Sequence, residues 1–140
     1  MTTFDYLAGN NRAEALGKLE RWSEAIASHE KALEIKVDYY LAWNNRGEAL
    51  GKLRRWEEAI VSCDKALEIN SGYYLAWYNK ANFLISLGNL TEAVNCYDKV
   101  LEIKPNFYDG WYEKGNVLKD LGLMEEANKS WEKAREIKSE

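Results

Sequence analysis

Few side chains in this sequence could carry covalent or metal chemistry. The single histidine, His29, excludes multi-histidine metal sites, and no histidine-based triad is expected around it. Cys63 and Cys96 do not stand in a C-x-x-C or any other metal-ligand spacing, and read as reduced, half-buried thiols of a cytoplasmic protein. The glycines form no phosphate-cradling loop of the G-x-G-x-x-G or G-x-x-x-x-G-K type. The adjacent acids Glu57–Glu58 and Glu125–Glu126 read as solvated helix starts. The expectation is therefore a protein that is not an enzyme, with no cofactor and no metal. What the residues offer instead is recognition. Asn11, Asn45 and Asn79 recur at one interval, and a side-chain amide both donates and accepts, so such a row can pair with an extended peptide backbone. Tyr78 and Tyr112 add flat contact area at low entropy cost. Arg12, Arg46, Lys80 and Lys114 form a second row. Four cations in register could track phosphates, but Glu14, Glu48 and Glu113 stand beside them, so interhelical ion pairs are the expected use.

The interval that relates these rows runs through the whole chain. Trp43, Trp77 and Trp111 share it, as do Trp22 and Trp56, and Tyr6, Tyr40, Tyr74 and Tyr108. The step is 34 residues, and 24 of the 34 positions in 6–39 are repeated in 40–73. A period of this size means stacked copies of a small unit. The reading is a leader, 1–5, followed by one domain, 6–140, built of repeats 6–39, 40–73, 74–107 and 108–140.

Each repeat reads as two helices of about 13 residues, since its apolar residues recur at i, i+3, i+4 and i+7. Leu41, Trp43, Gly47, Leu50 and Leu53 mark the first helix of the second repeat, and Trp56, Ala59, Ile60, Cys63, Ala66, Leu67 and Ile69 the second. Turns are expected at Arg54–Arg55, Gly88–Asn89 and Gly122–Leu123, where glycine supplies a left-handed cap. Links between repeats are expected at Asn70–Gly72 and Lys104–Asn106. Small residues let the helices approach: Ala13, Gly47, Ala81 and Gly115 in the first helices, and Ala25, Ala59, Ala93 and Ala127 in the second. His29 shares its place with Cys63, Tyr97 and Trp131, which predicts a packed, mostly buried ring.

Trp43, Gly47, Leu50, Trp56, Ala59, Ala66 and Pro105, with their equivalents 34 residues away, make the sequence resemble the tetratricopeptide repeat family across residues 6–140. It departs from the family pattern at Gly9, which replaces the first Trp of its series. It departs again at Arg12, Arg46, Lys80 and Lys114, and at Val37 and Ser71 in place of the linker Pro. The resemblance implies an all-α fold, a right-handed α-solenoid of stacked antiparallel helix pairs. It also implies a protein- or peptide-binding function in a concave groove lined by the first helices. Among the inward places it implies are Asn10, Asn11, Glu14 and Lys18 in the first repeat and Asn44, Asn45, Glu48 and Lys52 in the second. They include Tyr78, Asn79 and Asn82 in the third and Tyr112, Glu113 and Asn116 in the fourth. The two-carboxylate clamp of chaperone-binding relatives is not reproduced. Its frame falls on Asn10, Glu14, Asn45, Leu75 and Asn79, where only the middle Asn fits and Glu14 would repel a C-terminal carboxylate. The expected partner is a neutral to basic extended segment.

Charge and hydropathy narrow the remaining classes. A net charge of −4 argues against a general nucleic-acid binder or a polybasic membrane binder. No apolar run approaches the ~18 residues of a membrane span, and Met1–Tyr6 lacks the form of a secretory signal. Gly9 at one end, and Asn128 and Arg135 at the other, replace the large apolar residues of internal repeats, so both ends read as caps of a complete array. A monomer is expected. The alternative is a structural role without a native ligand, either in a consensus-like engineered array or through end-to-end self-association over Trp131 and Ile137.

Overall fold

The computed structural model describes residues 5–139; residues 1–4 of the expected leader and Glu140 lie outside it. Among the described residues there are eight helices and no strand. They are α1 (Tyr6–Lys18), α2 (Trp22–Ile35), α3 (Tyr40–Lys52), α4 (Trp56–Ile69), α5 (Tyr74–Ser86), α6 (Leu90–Ile103), α7 (Tyr108–Asp120) and α8 (Met124–Lys138). Every first helix begins on the tyrosine of the 34-residue series. No helix among the described residues is long and apolar enough to cross a membrane.

The helices fall into two compact units, residues 1–76 and 77–140. In the first, α1 packs on α2, α2 on α3 and α3 on α4. Within the first pair the chains run in opposite directions. Gly17 near the end of α1 lies against Trp22 at the start of α2, while Ser28 further along α2 donates 2.9 Å to the carbonyl of Gly9 near the start of α1. Ser62 repeats this bond to the Trp43 carbonyl at 2.6 Å. In the second unit α6 packs on α7 and α7 on α8.

One turn closes every pair. After α1, the Arg21 amide donates to the Leu16 carbonyl and the Glu20 amide to the Gly17 carbonyl, both at 2.9 Å. The same two bonds follow α3, α5 and α7. This is the Schellman arrangement, which requires a left-handed residue just past the helix. Gly88 and Gly122 supply it at φ 82°, as the sequence led one to expect, but in the first two turns Glu20 and Arg54 hold it at φ 58° and 60°.

The links share a second turn. The amides of Tyr39, Tyr73 and Phe107 donate to the carbonyls of Lys36, Asn70 and Lys104 at 3.2 Å. Pro105 suits the second position of such a turn, yet Val37 and Ser71 make it without proline. The tryptophans fasten it: the Trp43 indole donates to the Val37 carbonyl, and that of Trp111 to the Pro105 carbonyl, at 2.7 Å each.

The cores follow the small residues. Ala13, Ala25 and Ala32 in the first repeat, Ala59 and Ala66 in the second, and Ala127 and Ala134 in the fourth are all buried. Gly47 is glycine because a Cβ there would meet the Ala59 carbonyl at 3.1 Å and Cys63 Sγ at 3.2 Å. Cys63 and Cys96 are not joined in a disulfide, and both are buried outright rather than half-buried as expected.

Candidate functional site

Asn10 and Asn44 stand at the fifth place of their repeats. They were expected to face a ligand, and the structure corrects this: they are 4% and 2% exposed. Their amides hydrogen-bond the hydroxyls of Tyr39 and Tyr73, which return from the following link, and burial raises both phenols above their ordinary pKa. In the third repeat Tyr78 replaces the asparagine and Phe107 replaces the tyrosine. Their rings meet edge-on with centroids 5.2 Å apart. The position therefore holds helix to link, by an amide–phenol pair or by two rings. Tyr112, at the same place in the fourth repeat, is 44% exposed and stacks on Tyr108.

The next place carries the amide row. Asn11 is exposed and Asn45 is half-buried. Asn45 Nδ2 donates to Asn10 Oδ1 and Glu14 Oε1, each at 3.4 Å. In the second unit Asn79 and Glu113 are half-buried. Burial, and then the charge of Asp109, holds the Glu113 carboxyl above its ordinary pKa, against the opposing hydrogen bond with Asn116.

The ninth place pairs with the second helix. Tyr97 donates to Asn82 Oδ1 at 2.5 Å, and Asn82 also bonds the Tyr78 hydroxyl. Trp131 Nε1 donates to Asn116 Oδ1 at 3.2 Å. These two asparagines thus anchor buried rings. In the first two repeats the same place holds Glu14 and Glu48, both exposed, and the second-helix partners are the smaller His29 and Cys63. Between α1, α2 and α3 lies a cavity of about 480 Å³, lined by Ala13, Glu14, Gly17, Lys18, Trp22, Ala25, His29, Asn45, Glu48 and Ala49. His29 is buried there, as its repeat position predicts.

The cationic row makes the ion pairs expected of it where they are seen. Arg46 pairs with Glu30 of α2 at 2.9 Å, and Lys114 with Asp98 of α6 at 2.6 Å. A second contact was not anticipated. Arg46, Lys80 and Lys114 lie over the rings of Trp43, Trp77 and Trp111 at 5.9, 5.7 and 5.5 Å. The signal was in the sequence, a cation three residues after each Trp, where helical neighbours meet. Among the described residues no three His, Cys, Asp or Glu side chains come together as a metal site.

Family models of the tetratricopeptide repeat match residues 40–73, 74–107 and 108–140, most of the chain. The chain belongs to the tetratricopeptide repeat family. A model of the protein prenyltransferase alpha subunit repeat matches residues 22–53 of this tetratricopeptide repeat protein, where α2, a link and α3 form a helix pair in the other phase. No curated protein matches it in sequence. Among solved structures it is similar to a crystal structure of MamA, with a TM-score of 0.92 at 24% identity over 96% of this chain and 78% of that one. A MamA fragment from Desulfovibrio magneticus RS-1 gives 0.89 at 16% identity over 96% and 76%. The first tetratricopeptide domain of Spaghetti (RPAP3), bound to the HSP90 peptide SRMEEVD, gives 0.82 at 24% identity over 84% and 93%. These likenesses show the fold.

Proposed function

We propose that this tetratricopeptide protein is a non-catalytic binding module whose first-helix faces hold an extended protein segment of neutral to basic character. The observation that carries the reading is Asn45. Its amide sits at the surface of α3 on two long bonds, so exchanging them for a peptide carbonyl and amide costs little. Exposed Asn11 beside it, and Asn79 at the equivalent place of the second unit, offer the same groups. Glu14 and Glu48 next to the first two amides favour a segment carrying cations. The Spaghetti domain supports peptide capture by this fold, but its peptide is acidic. The carboxylates here call for the opposite sign.

The test is an array of 15-residue peptides probed with the full chain. A segment held by the first unit should lose about tenfold in affinity with Asn45→Ala, and one held by the second with Asn79→Ala, as one good hydrogen bond each predicts. A segment whose affinity ignores the change in the unit that holds it shows that the amides are not the contact.

A further inference from the structure

The cavity of the first repeat is the place where the third and fourth repeats put a donor of their own. Tyr97 and Trp131 reach across from the second helix and donate to the ninth residue of the first helix. His29 stands where they stand, and Glu14 where their acceptors stand. The imidazole reaches less far than a phenol or an indole and makes no bond to Glu14, and the cavity of about 480 Å³ opens between them. His29 is 3% exposed, forms part of the lining, and its Nδ1 has no hydrogen-bond partner. A buried polar atom left unpaired is destabilising. Burial, and then the charge of Arg46, lowers the His29 pKa to about 4, so near neutral pH the ring is uncharged and does not repel a cation.

The lining presents acceptors, the Glu14 and Glu48 carboxylates. Its walls are short and apolar: Ala13, Ala25 and Ala49. Lys18 also lines it, as does the Trp22 ring, over which Lys52 already sits at 5.8 Å. Lys18 and Lys52 follow Glu14 and Glu48 by one helical turn, so the two signs are separated along the cavity. An occupant must carry an apolar stem and a head with several donors. A phenol has one donor and an ammonium is a compact, strongly hydrated point charge. A guanidinium offers five donors in a flat fork that matches carboxylates two bonds at a time.

We propose that this cavity is a side-chain pocket for an arginine of the bound segment, its stem against the alanine walls and its guanidinium donating to Glu14 and Glu48. The proposal rests on the first-helix face being the protein-binding face, and it names the residue type that face selects.

The probe is N-acetyl-arginine methylamide, titrated into the 15N-labelled full chain, with the neutral citrulline analogue as control. Arginine should give saturable amide shifts confined to residues 13–18, 29 and 45–49, and citrulline should bind about tenfold more weakly, the loss of a charge-assisted contact. His29→Tyr with Glu14→Asn transplants the Tyr97–Asn82 pair and should fill the pocket, abolishing the shifts. Should that variant not fold, Glu14→Gln with Glu48→Gln, at two exposed positions, removes the charge alone and should bring arginine down to the citrulline level. Equal binding of arginine and citrulline, or arginine shifts that survive whichever variant folds, overturns the pocket. A segment from the peptide array that ignores replacement of its arginines does the same while leaving the groove reading intact. Arginine that titrates the pocket when no array peptide binds supports the pocket and overturns the groove reading.

Discussion

Single side chains in this protein are set by their counterparts in the other helix of the pair. Gly115 shows it most sharply. A Cβ there would lie 2.5 Å from Cδ1 of Trp131, well inside contact distance. At the same place the first repeat puts Ala13 opposite the smaller His29. Gly115→Ala should therefore destabilise the chain by about 1–3 kcal/mol despite alanine's better helix propensity. Gly115→Ala with Trp131→His recreates the first repeat's pair and should cost less than the two single changes added together. Urea unfolding of the four proteins measures this coupling, and strict additivity would sink the argument. His29 itself gives a pH dependence. Its folded pKa, about 4, lies below the ordinary 6.5, so its contribution is complete above pH 6.5. As pH falls, the unfolded chain takes up the proton first, and stability drops until the folded pKa is reached, by on the order of 3 kcal/mol. The midpoint temperature should fall from pH 7 to 4, and should fall less in His29→Cys, which carries the second repeat's residue.

At the scale of the helix and its ends, one turn is built from two kinds of residue. Glu20 and Arg54 hold a left-handed backbone that costs a residue with a Cβ roughly 1–2 kcal/mol. Part of that is returned because glycine loses more entropy on folding. Glu20→Gly and Arg54→Gly should each stabilise by about 0.5–1 kcal/mol in thermal unfolding. Gly88→Ala, with nothing within 4 Å of the new Cβ, should destabilise by strain alone. The helices themselves were legible because each is written four times over, and Gly88 and Gly122 marked the turns. Carrying those glycines back by 34 residues would have located Glu20 and Arg54, but polar residues there conceal the cap. Asp5 was hidden differently. Assigned to the leader, it caps α1 by accepting from the Ala8 amide at 2.7 Å, while no other first helix with a described cap has a side-chain bond. The burial of Asn10 and Asn44 could not be read from periodicity. Their partners Tyr39 and Tyr73 come from the next link, and an asparagine in a helix looks the same whether it meets water or a phenol.

Over the whole molecule, the arrangement of charge matters more than its sum. The net charge is only −4, but the two signs are used differently. Arg46 and Lys114 are spent on Glu30, Asp98 and the tryptophan faces. Glu14 and Glu48 in the first unit are exposed on the first-helix faces, as is Asp109 in the second, where Glu113 is half-buried. A partner approaching either face meets these carboxylates, with exposed Lys18 and Lys52 one helical turn beyond them in the first unit and exposed Lys119 further along in the second. Such fields act on the rate of encounter and are screened within about 10 Å at 0.1 M salt. A lysine- and arginine-bearing peptide should therefore associate about tenfold more slowly as sodium chloride rises from roughly 0.02 to 0.3 M, with a much smaller change in dissociation rate. An acidic peptide of the same length should show the reverse trend. Lowering the pH should weaken the basic peptide in the second unit first. There burial and Asp109 raise the Glu113 pKa, so its charge is lost before that of exposed acids. Stopped-flow anisotropy at several ionic strengths separates the rates. If the acidic peptide associates faster at low salt, the cations govern approach and the partner is acidic rather than basic.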